Sequence, residues 1–210
     1  LFFTRNNLDL EQTKKIVTAA LAGGDDGELF LEMRHAEMLA FDDGRLKTAS
    51  YDQSSGFGLR AVAGEAHGYA HAGELSEAAL ARAANSVSAV TKGYSGTAAL
   101  APSAGANIPL YSDQNPLNNT PFETKVKLLQ EMDTYARESD PRVKQVSASL
   151  TGSWQAVQII RGDGLRVADI RPLVRINIWV AVEQDGRMES GGTGAGGRVM
   201  LDQWLTPESW

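Results

Sequence analysis

Cysteine is absent from this chain of 210 residues. Its absence excludes a disulfide framework, thiolate metal sites and a cysteine nucleophile within this segment, and it is compatible with a reducing cytoplasm. No uninterrupted apolar run approaches the roughly 20 residues that a membrane-spanning helix needs. The first residues also lack the basic and apolar regions of a signal peptide. We therefore expect a cytoplasmic protein that is neither anchored to a membrane nor exported.

Positive charge is also scarce. The chain holds 20 basic and 26 acidic residues, a formal net charge of -6, and its Lys and Arg residues do not cluster. Because binding to a nucleic-acid backbone depends on clustered positive charge, we do not expect nucleic acid as the main partner. Hydrophobic residues, in contrast, make up 42% of the chain, which is enough for one folded domain or two small ones.

The first region, residues 1–92, is expected to contain a helix, hairpins and a second helix. A capping box at Asp9 begins the first helix, which ends near Gly23, and Ser76 caps the second. Residues 29–41 have the composition of either a helix or a strand, and we predict a strand because a typical hairpin turn follows them. The predicted strands lie at residues 29–41, 46–51, 57–63 and 66–71, with turns at Asp42-Asp43-Gly44 and Gly64-Glu65.

Residues 93–120 are rich in turn-forming clusters and show neither a helical nor a strand period, so we expect an irregular linker there. A helix should follow, with Thr120 as its N-cap and Pro121 at its first position. The predicted buried face of this helix consists of Phe122, Val126, Leu129, Met132 and Tyr135 or Ala136.

The remainder of residues 121–210 alternates like an antiparallel meander. The predicted strands are residues 143–151, 154–161, 165–171 and 172–183, separated by turns at Gly152-Ser153 and Gly162-Asp163-Gly164. The sequence therefore predicts an α+β fold with antiparallel or mixed sheets, helices packed on one face, and two sub-regions.

The last predicted strand continues into a hairpin and a glycine tract. From Val174 to Val182 the even positions are β-branched and apolar, and Asp185-Gly186 is a typical two-residue hairpin turn, with residues 187–190 returning beside the first strand. Residues 191–197 hold almost no side chains, so we expect a backbone that bends or approaches something closely. The tract also matches G-x-G-x-x-G, but a hairpin precedes it where a dinucleotide site needs a strand and a following helix.

Histidine spacing gives little support for a metal site. His67 and His71 would share one face of a helix, but the glycines around them favour a strand, on which they would lie roughly 13 Å apart at about 3.3 Å per residue. That separation is too large for one ion. His35 has no acid or nucleophile at motif spacing and is interpreted as a packing or surface residue.

Two arginines of the same strand offer a binding function. Arg171 and Arg175 share a face with Asn177, so they could bind a carboxylate or a peptide backbone. The alternative is structural pairing with acids such as Glu183 and Glu189 across the sheet. We recognise no Ser/His/Asp set, paired-carboxylate motif or P-loop in the sequence.

The segment from Asp169 to Arg198 resembles the TldD branch of the TldD/PmbA metalloprotease family. The similarity rests on Arg171-Pro172-Leu173-Val174-Arg175, the acidic Asp-Gly turn and the stretch from Gly191 to Arg198, and it extends to residues 143–150 and 53–68. It implies the N-terminal part of a zinc-dependent peptidase that acts on unfolded or flexible peptides, with a paralogous subunit or as a homodimer. Family roles include peptide antibiotic maturation and antitoxin removal, and an older family label is modulator of DNA gyrase.

The resemblance does not place a metal in this chain. The family's H-E-x-x-x-H signature and its thiolate ligand are both missing, so no family ligand carries over. The resemblance implies that residues 121–210 lead to a catalytic domain absent from this chain, and we expect the motif there, beyond Trp210. We expect this chain to be inactive alone and to have no cofactor of its own. Our candidates for a substrate-facing edge are Arg171, Arg175, Trp179, Gly192 and Gly194. The alternatives are a non-enzymatic peptide-binding or assembly module, as in a metal-free paralogue, and a nucleotide-binding enzyme.

Overall fold

The computed structural model describes residues 1–96 and 108–206. The α-helices are α1 (Phe2–Asn6), α2 (Leu10–Leu21), α3 (Glu77–Thr91), α4 (Pro116–Asn119) and α5 (Phe122–Ser139), and Leu201–Trp204 forms a short 3-10 helix. The strands are β1 (Asp26–Asp42), β2 (Arg45–Ala63), β3 (Ala66–Ala72), β4 (Val143–Arg161), β5 (Arg166–Gln184) and β6 (Arg187–Gly197). None of the helices in these described ranges is long and apolar enough to cross a membrane.

The strands form one antiparallel six-stranded sheet in the order β3-β2-β1-β4-β5-β6. Two short hairpins, β2–β3 and β5–β6, therefore end the sheet on its two sides, and β3 and β6 are its edge strands. The predicted α+β class is confirmed. Because β6 is at the end of this order, the glycine tract lies at an edge of the sheet and not in its middle.

Local chemistry sets the helix starts and the turns. Asp9 caps α2 by accepting a hydrogen bond from the backbone N–H of Gln12 at 2.6 Å, and Ser76 caps α3 through the N–H of Ala79 at 3.2 Å. The turn after β1 has a positive φ of 45° at Asp43 and 74° at Gly44. These values are those of the two-residue turn predicted there, and both caps are confirmed as well.

The strands are longer than the sequence predicts. Residues 46–51 and 57–63 belong to one continuous strand, β2, and the turn predicted at Gly152-Ser153 is wrong because β4 runs through it. Gly152 is buried, and a Cβ added there would overlap the side chain of Leu117. The glycine thus provides room for a neighbouring element to pack against a straight strand.

Helix α5 also differs from its prediction. Its N-cap is Pro121 instead of Thr120, and Phe122 and Tyr135 are exposed by 44% and 57% instead of buried. The buried residues of α5 are Lys125, Leu128, Leu129, Met132 and Asp133. A hydrophobic pattern could not find this face, because it includes a lysine whose ammonium Nζ lies 2.5 Å from the Glu37 carboxylate and 2.6 Å from the Leu117 carbonyl oxygen.

The chain divides into two compact units, each assembled from three stretches of sequence. Unit 1 comprises Leu1–Met33, Ser54–Pro109 and Ala156–Asp169, and unit 2 comprises Arg34–Gln53, Leu110–Gln155 and Ile170–Trp210. The expected organisation into 1–92, 93–120 and 121–210 stays a prediction, and residues 97–107 of the expected linker lie outside the described residues.

Each unit has an apolar core. In unit 1, α2 contacts α3 and α3 contacts β3. The fully buried side chains of unit 1 include Val17, Leu29, Leu31, Leu59 and Leu80. In unit 2 the core lies between α5 and one face of β1, β4 and β5, and it consists of Leu39, Phe41, Leu128, Leu129, Met132, Ala148, Leu150, Ile176 and Leu201. The other face of these strands in unit 2 carries the candidate site.

Candidate functional site

The glycine tract forms the larger part of edge strand β6. It pairs with β5 in unbroken antiparallel register, including Trp179 with Gly192 and Asn177 with Gly194. No glycine from Gly191 to Gly197 has a positive φ. The expectation of a bend is therefore wrong. The same strand geometry excludes the strand, loop and helix that a dinucleotide-binding glycine motif needs.

The tract instead allows side chains of β5 to lie across β6. A Cβ on Gly192 would overlap the indole ring of Trp179, and a Cβ on Gly194 would overlap Asn177 and stand 3.2 Å from Nη2 of Arg175. Gly191 is the first residue of the same tract, and a Cβ there would meet nothing within 4 Å. The expectation of close approach is therefore confirmed, and the groups that approach are an aromatic ring and a guanidinium.

The hairpin geometry also determines which main-chain groups face the open edge. Gln184 and Arg187 flank the two-residue turn, so they form a hydrogen-bonded pair, and such pairs alternate along an antiparallel ladder. Counting from Arg187, the N–H and C=O groups of Gly192, Gly194 and Gly196 point away from β5. The three glycines that lie under β5 side chains are thus also the ones whose main chains are open at the edge.

A groove of about 510 Å³ lies on this face of unit 2. Its lining residues are Ala40, Phe41, Asp42, Ser147, Ala148, Ser149, Arg175, Asn177, Ile178, Trp179, Gly192, Thr193 and Gly194. Four of the five sequence candidates, Arg175, Trp179, Gly192 and Gly194, are therefore brought together. Arg171 is half-buried and does not line the groove. The serines could have been found from their alternation in β4, where they occupy the polar positions.

The groove contains one basic and one acidic side chain, Arg175 and Asp42, which differ in their partners. Arg175 donates from Nε to Oδ1 of Asn177 at 2.8 Å, and in the described part of the chain it forms no ion pair. Asp42 accepts hydrogen bonds from Oγ of Ser147 at 2.6 Å and from Nε2 of Gln145 at 3.3 Å, and these bonds lower the pKa of its carboxyl. The guanidinium is thus available to a ligand, while the carboxylate is already hydrogen-bonded.

A smaller apolar pocket lies on the opposite face of the same two strands. Its volume is about 180 Å³, and it is lined by Met132, Ile176, Ile178, Thr193, Gly194, Ala195 and Trp204. Thr193 pairs with Ile178 and Ala195 with Ile176, so these four side chains share a face. This pocket could not be predicted from the sequence, because Trp204 and Met132 come from elements that no strand pattern connects with β6.

None of the three histidines lines the groove. His35 is 8% exposed, packs on Trp154 with ring centroids 5.3 Å apart, and has its Nδ1 3.3 Å from both Tyr51 Oη and Asn115 Nδ2. Its interpretation as a packing residue is confirmed. His67 and His71 lie on strand β3, as the glycines around them predict.

Within residues 1–96 and 108–206, no three His, Cys, Asp or Glu side chains are close enough together to hold an ion. These residues therefore do not fit the metal that a metallopeptidase requires, and we derive no hydrolytic step from them.

Comparison with protein-family models identifies the chain. The model described as the PmbA/TldA metallopeptidase central domain matches residues 115–209, and the model of domain 1 of the same family matches residues 27–91. Together they match most of the chain. This chain belongs to the PmbA/TldD metallopeptidase family, as its arginine-flanked strand and glycine tract predict.

Curated relatives agree with this assignment. A metalloprotease TldD homolog from Haemophilus influenzae is 39% identical over 181 residues, which are 85% of this chain and 37% of that protein. A second TldD homolog, from Buchnera aphidicola of Acyrthosiphon pisum, is 34% identical over 88% of this chain and 38% of its own length. The chain thus spans little more than a third of the curated relatives that it matches.

Solved structures share the fold. A Thermotoga maritima protein named as a modulator of DNA gyrase superimposes with a TM-score of 0.75 at 12% identity, over 91% of this chain and 44% of that one. TldE from Thermococcus kodakarensis gives a TM-score of 0.71 at 13% identity, over 89% of this chain and 43% of that one. At these identities the comparison shows the common architecture alone.

Proposed function

We propose that this chain is the N-terminal, non-catalytic region of a TldD-type metallopeptidase and that it holds extended peptides at the β6 edge. The main-chain groups of Gly192, Gly194 and Gly196 carry this proposal, because they face the open edge beside a groove with an aromatic ring and a cation. A peptide added as a further strand would exchange main-chain hydrogen bonds with them. Such bonds tolerate many sequences, as a peptidase of flexible substrates requires.

The composition of β6 supports the same proposal. Native proteins usually protect an edge strand with charged side chains, proline, a bulge or short length. Strand β6 has eleven residues in unbroken register, and its glycine tract carries neither charge nor proline. An edge of this kind pairs readily with another extended chain. Arg175 and Trp179 would then contact the peptide across one face of β6. Arg171 lies on the same strand as these two residues, β5, but does not line the groove.

The proposal is tested with a peptide whose own main chain is altered. The probe is the fluorescein-labelled octapeptide Thr-Ser-Thr-Glu-Leu-Thr-Ser-Thr, and binding to the chain is followed by fluorescence anisotropy. Two derivatives carry four N-methyl groups each, one on the odd positions and one on the four consecutive positions 3 to 6 of the peptide. In an antiparallel pair, only alternate residues direct their N–H groups to the neighbour, so the first derivative keeps one complete edge and the second keeps none. We expect the second derivative to lose at least tenfold in affinity and the first to bind as the parent does.

Equal affinity of both derivatives and the parent would contradict strand addition. The non-catalytic assignment has its own test, which is the incubation of the chain with zinc and the same peptide. We expect no cleavage, and rapid hydrolysis would disprove that part of the proposal. The zinc of the parent protein, a paralogous or identical partner subunit and a cytoplasmic location stay predictions of the family resemblance.

A further inference from the structure

We infer that the β6 edge selects peptides by their two faces, favouring an apolar residue next to an acidic one. This inference rests on the proposed strand addition and adds a substrate class to it. It follows from the different chemistry that unit 2 presents above and below β6. One face carries Arg175 and Trp179, and the other carries the apolar pocket lined by Ile178 and Trp204.

Strand geometry links the two faces to neighbouring peptide residues. Successive side chains of a strand point to opposite faces, and adjacent strands lie about 4.8 Å apart. A peptide residue opposite Gly194 would therefore direct its side chain to the groove face, and the residue next to it would direct its side chain to the pocket face. Recognition by both faces thus requires two adjacent residues, whereas residues two apart would share one face.

The acidic preference follows from the position of Arg175. Its Nη2 lies over β6, 3.2 Å from the position that a Gly194 Cβ would occupy, and is thus about one strand spacing from an added peptide. In the described residues this guanidinium has no acidic partner, so a peptide carboxylate would supply the missing counter-charge. Asp42 of the groove lies on β1, three strands from β6 in the sheet order, and it is already bonded to Ser147.

The apolar preference follows from the pocket on the other face. An apolar cavity of about 150 Å³ holds a benzene-sized group, so a pocket of about 180 Å³ accommodates a side chain such as Leu, Ile or Met. The β6 residues beside it, Thr193 and Ala195, are small. A side chain from an added strand can therefore pass over them to Ile176 and Ile178, which are apolar.

The first experiment compares peptides of identical composition. The octapeptide Thr-Ser-Thr-Glu-Leu-Thr-Ser-Thr has Glu and Leu adjacent, and Thr-Ser-Glu-Thr-Leu-Thr-Ser-Thr has them two apart. We expect the adjacent peptide to bind several times more tightly. Replacing its Leu by Ser should weaken binding about tenfold or more, since burial of the side chain is lost. Replacing its Glu by Gln should weaken binding about two- to fivefold, and added salt should remove that difference.

Variants of the chain assign each preference to one face. Ala195→Leu fills the pocket from an exposed strand position and should make the Leu and Ser peptides bind equally, while Ala66→Leu on edge strand β3 is the matched control. Arg175→Gln should abolish the preference for Glu over Gln, and Arg166→Gln, which removes the same charge from β5, should keep it. Both controls should bind the adjacent peptide as the unaltered chain does.

The outcomes separate the inference from the proposed function. If all peptides bind equally and only N-methylation of consecutive positions weakens them, strand addition stands and the selectivity inference is wrong. If no peptide binds to the chain, strand addition fails and the inference fails with it. Tight binding of the adjacent peptide, with loss of each preference in its own variant, supports both.

Discussion

The two edge strands use glycine for different purposes. In β3, a Cβ on Gly68 would stand 2.9 Å from Cγ2 of Val90 and 3.2 Å from the Val87 carbonyl oxygen, so the glycine makes room for helix α3. In β6, the glycines make room for side chains of the adjacent strand. A glycine in an edge strand therefore does not by itself indicate flexibility. What approaches it decides whether the glycine serves the core or exposes a recognition surface.

The turns that lead into these two strands are also stabilised differently. The turn between β5 and β6 has positive φ at both central residues, 54° at Asp185 and 77° at Gly186. The turn between β2 and β3 has a positive φ at Gly64, whose N–H donates to Asp25 Oδ2 at 2.7 Å, and Tyr94 donates to the same oxygen at 3.0 Å. The β3 hairpin is thus supported by tertiary hydrogen bonds, and the β6 hairpin by its own backbone preferences.

The largest effect should come from a side chain under Trp179. Gly192→Val would displace the indole ring and place the new Cβ 2.7 Å from the Ile178 carbonyl oxygen. We therefore expect the unfolding free energy to fall by about 1–3 kcal/mol and peptide binding to weaken as well. Gly191→Val is the matched control, because its Cβ meets nothing within 4 Å. Chemical denaturation and peptide anisotropy measure both effects, and equal stability of the two variants would refute the packing role of Gly192.

On the opposite edge, Gly68→Ala should change stability without changing peptide binding. The methyl group would press on Val90 and the α3 backbone, and this overlap should outweigh the gain from replacing glycine in a strand, for a net loss of about 1 kcal/mol. Gly73→Ala is the control, since its Cβ would be 3.8 Å from its nearest neighbour. A weakened peptide affinity in Gly68→Ala would remove the proposed contrast between the two edges.

An effect of comparable size should follow removal of the acid that supports the β2–β3 turn. Asp25→Ala deletes the acceptor for Gly64 and Tyr94, so we expect a loss of about 1 kcal/mol of stability. The pKa of Tyr94, which its hydrogen bond to Asp25 raises, should fall toward that of an ordinary tyrosine in the same variant. Ultraviolet titration follows this change. Asp52→Ala, an exposed acid of β2, should leave both quantities unaltered.

The smallest effect should appear in acid, next to the turn of the β5–β6 hairpin. Hydrogen bonds from Arg142 lower the pKa of Asp140 to about 2, and the Arg142 carbonyl accepts from the N–H of Glu183 at 2.9 Å. Because the folded pKa is lowered, this contribution is present above the usual value of 3.8 and is lost as the pH falls toward 2. Hydrogen exchange of the Glu183 amide should rise over this range, and less so in Asp140→Asn. An identical rise in both would refute the linkage.

Features that depend on neighbouring residues in the chain could be predicted from the sequence. The caps at Asp9 and Ser76 and the turns at Asp43 and Asp185 follow from local hydrogen bonds and backbone preferences, and all four are confirmed. Strand lengths could not be predicted in this way. Gly152 has the composition of a turn, and only the packing of Leu117 against it explains why β4 continues.

The candidate site was predictable to a similar extent. Period two and the hairpin turn place Arg175, Trp179 and the glycines on neighbouring strands, and the groove brings these residues together. The expectation that the glycine tract bends was wrong because it considered only the missing side chains of the tract. The side chains that fill the space belong to β5, and the apolar pocket requires Trp204 and Met132 from distant elements.

The interleaving of the two units has a consequence for synthesis on the ribosome. Unit 1 includes Ala156–Asp169, and unit 2 combines Arg34–Gln53 with the last stretch of the chain. Unit 1 therefore lacks part of its sequence until Asp169 has been made, and no single cut yields either unit whole. Such dependence on distant contacts slows folding, because the entropy of closing long loops is lost before native strand pairing can stabilise the fold. The exposed nascent strands would be a target for chaperones during that delay.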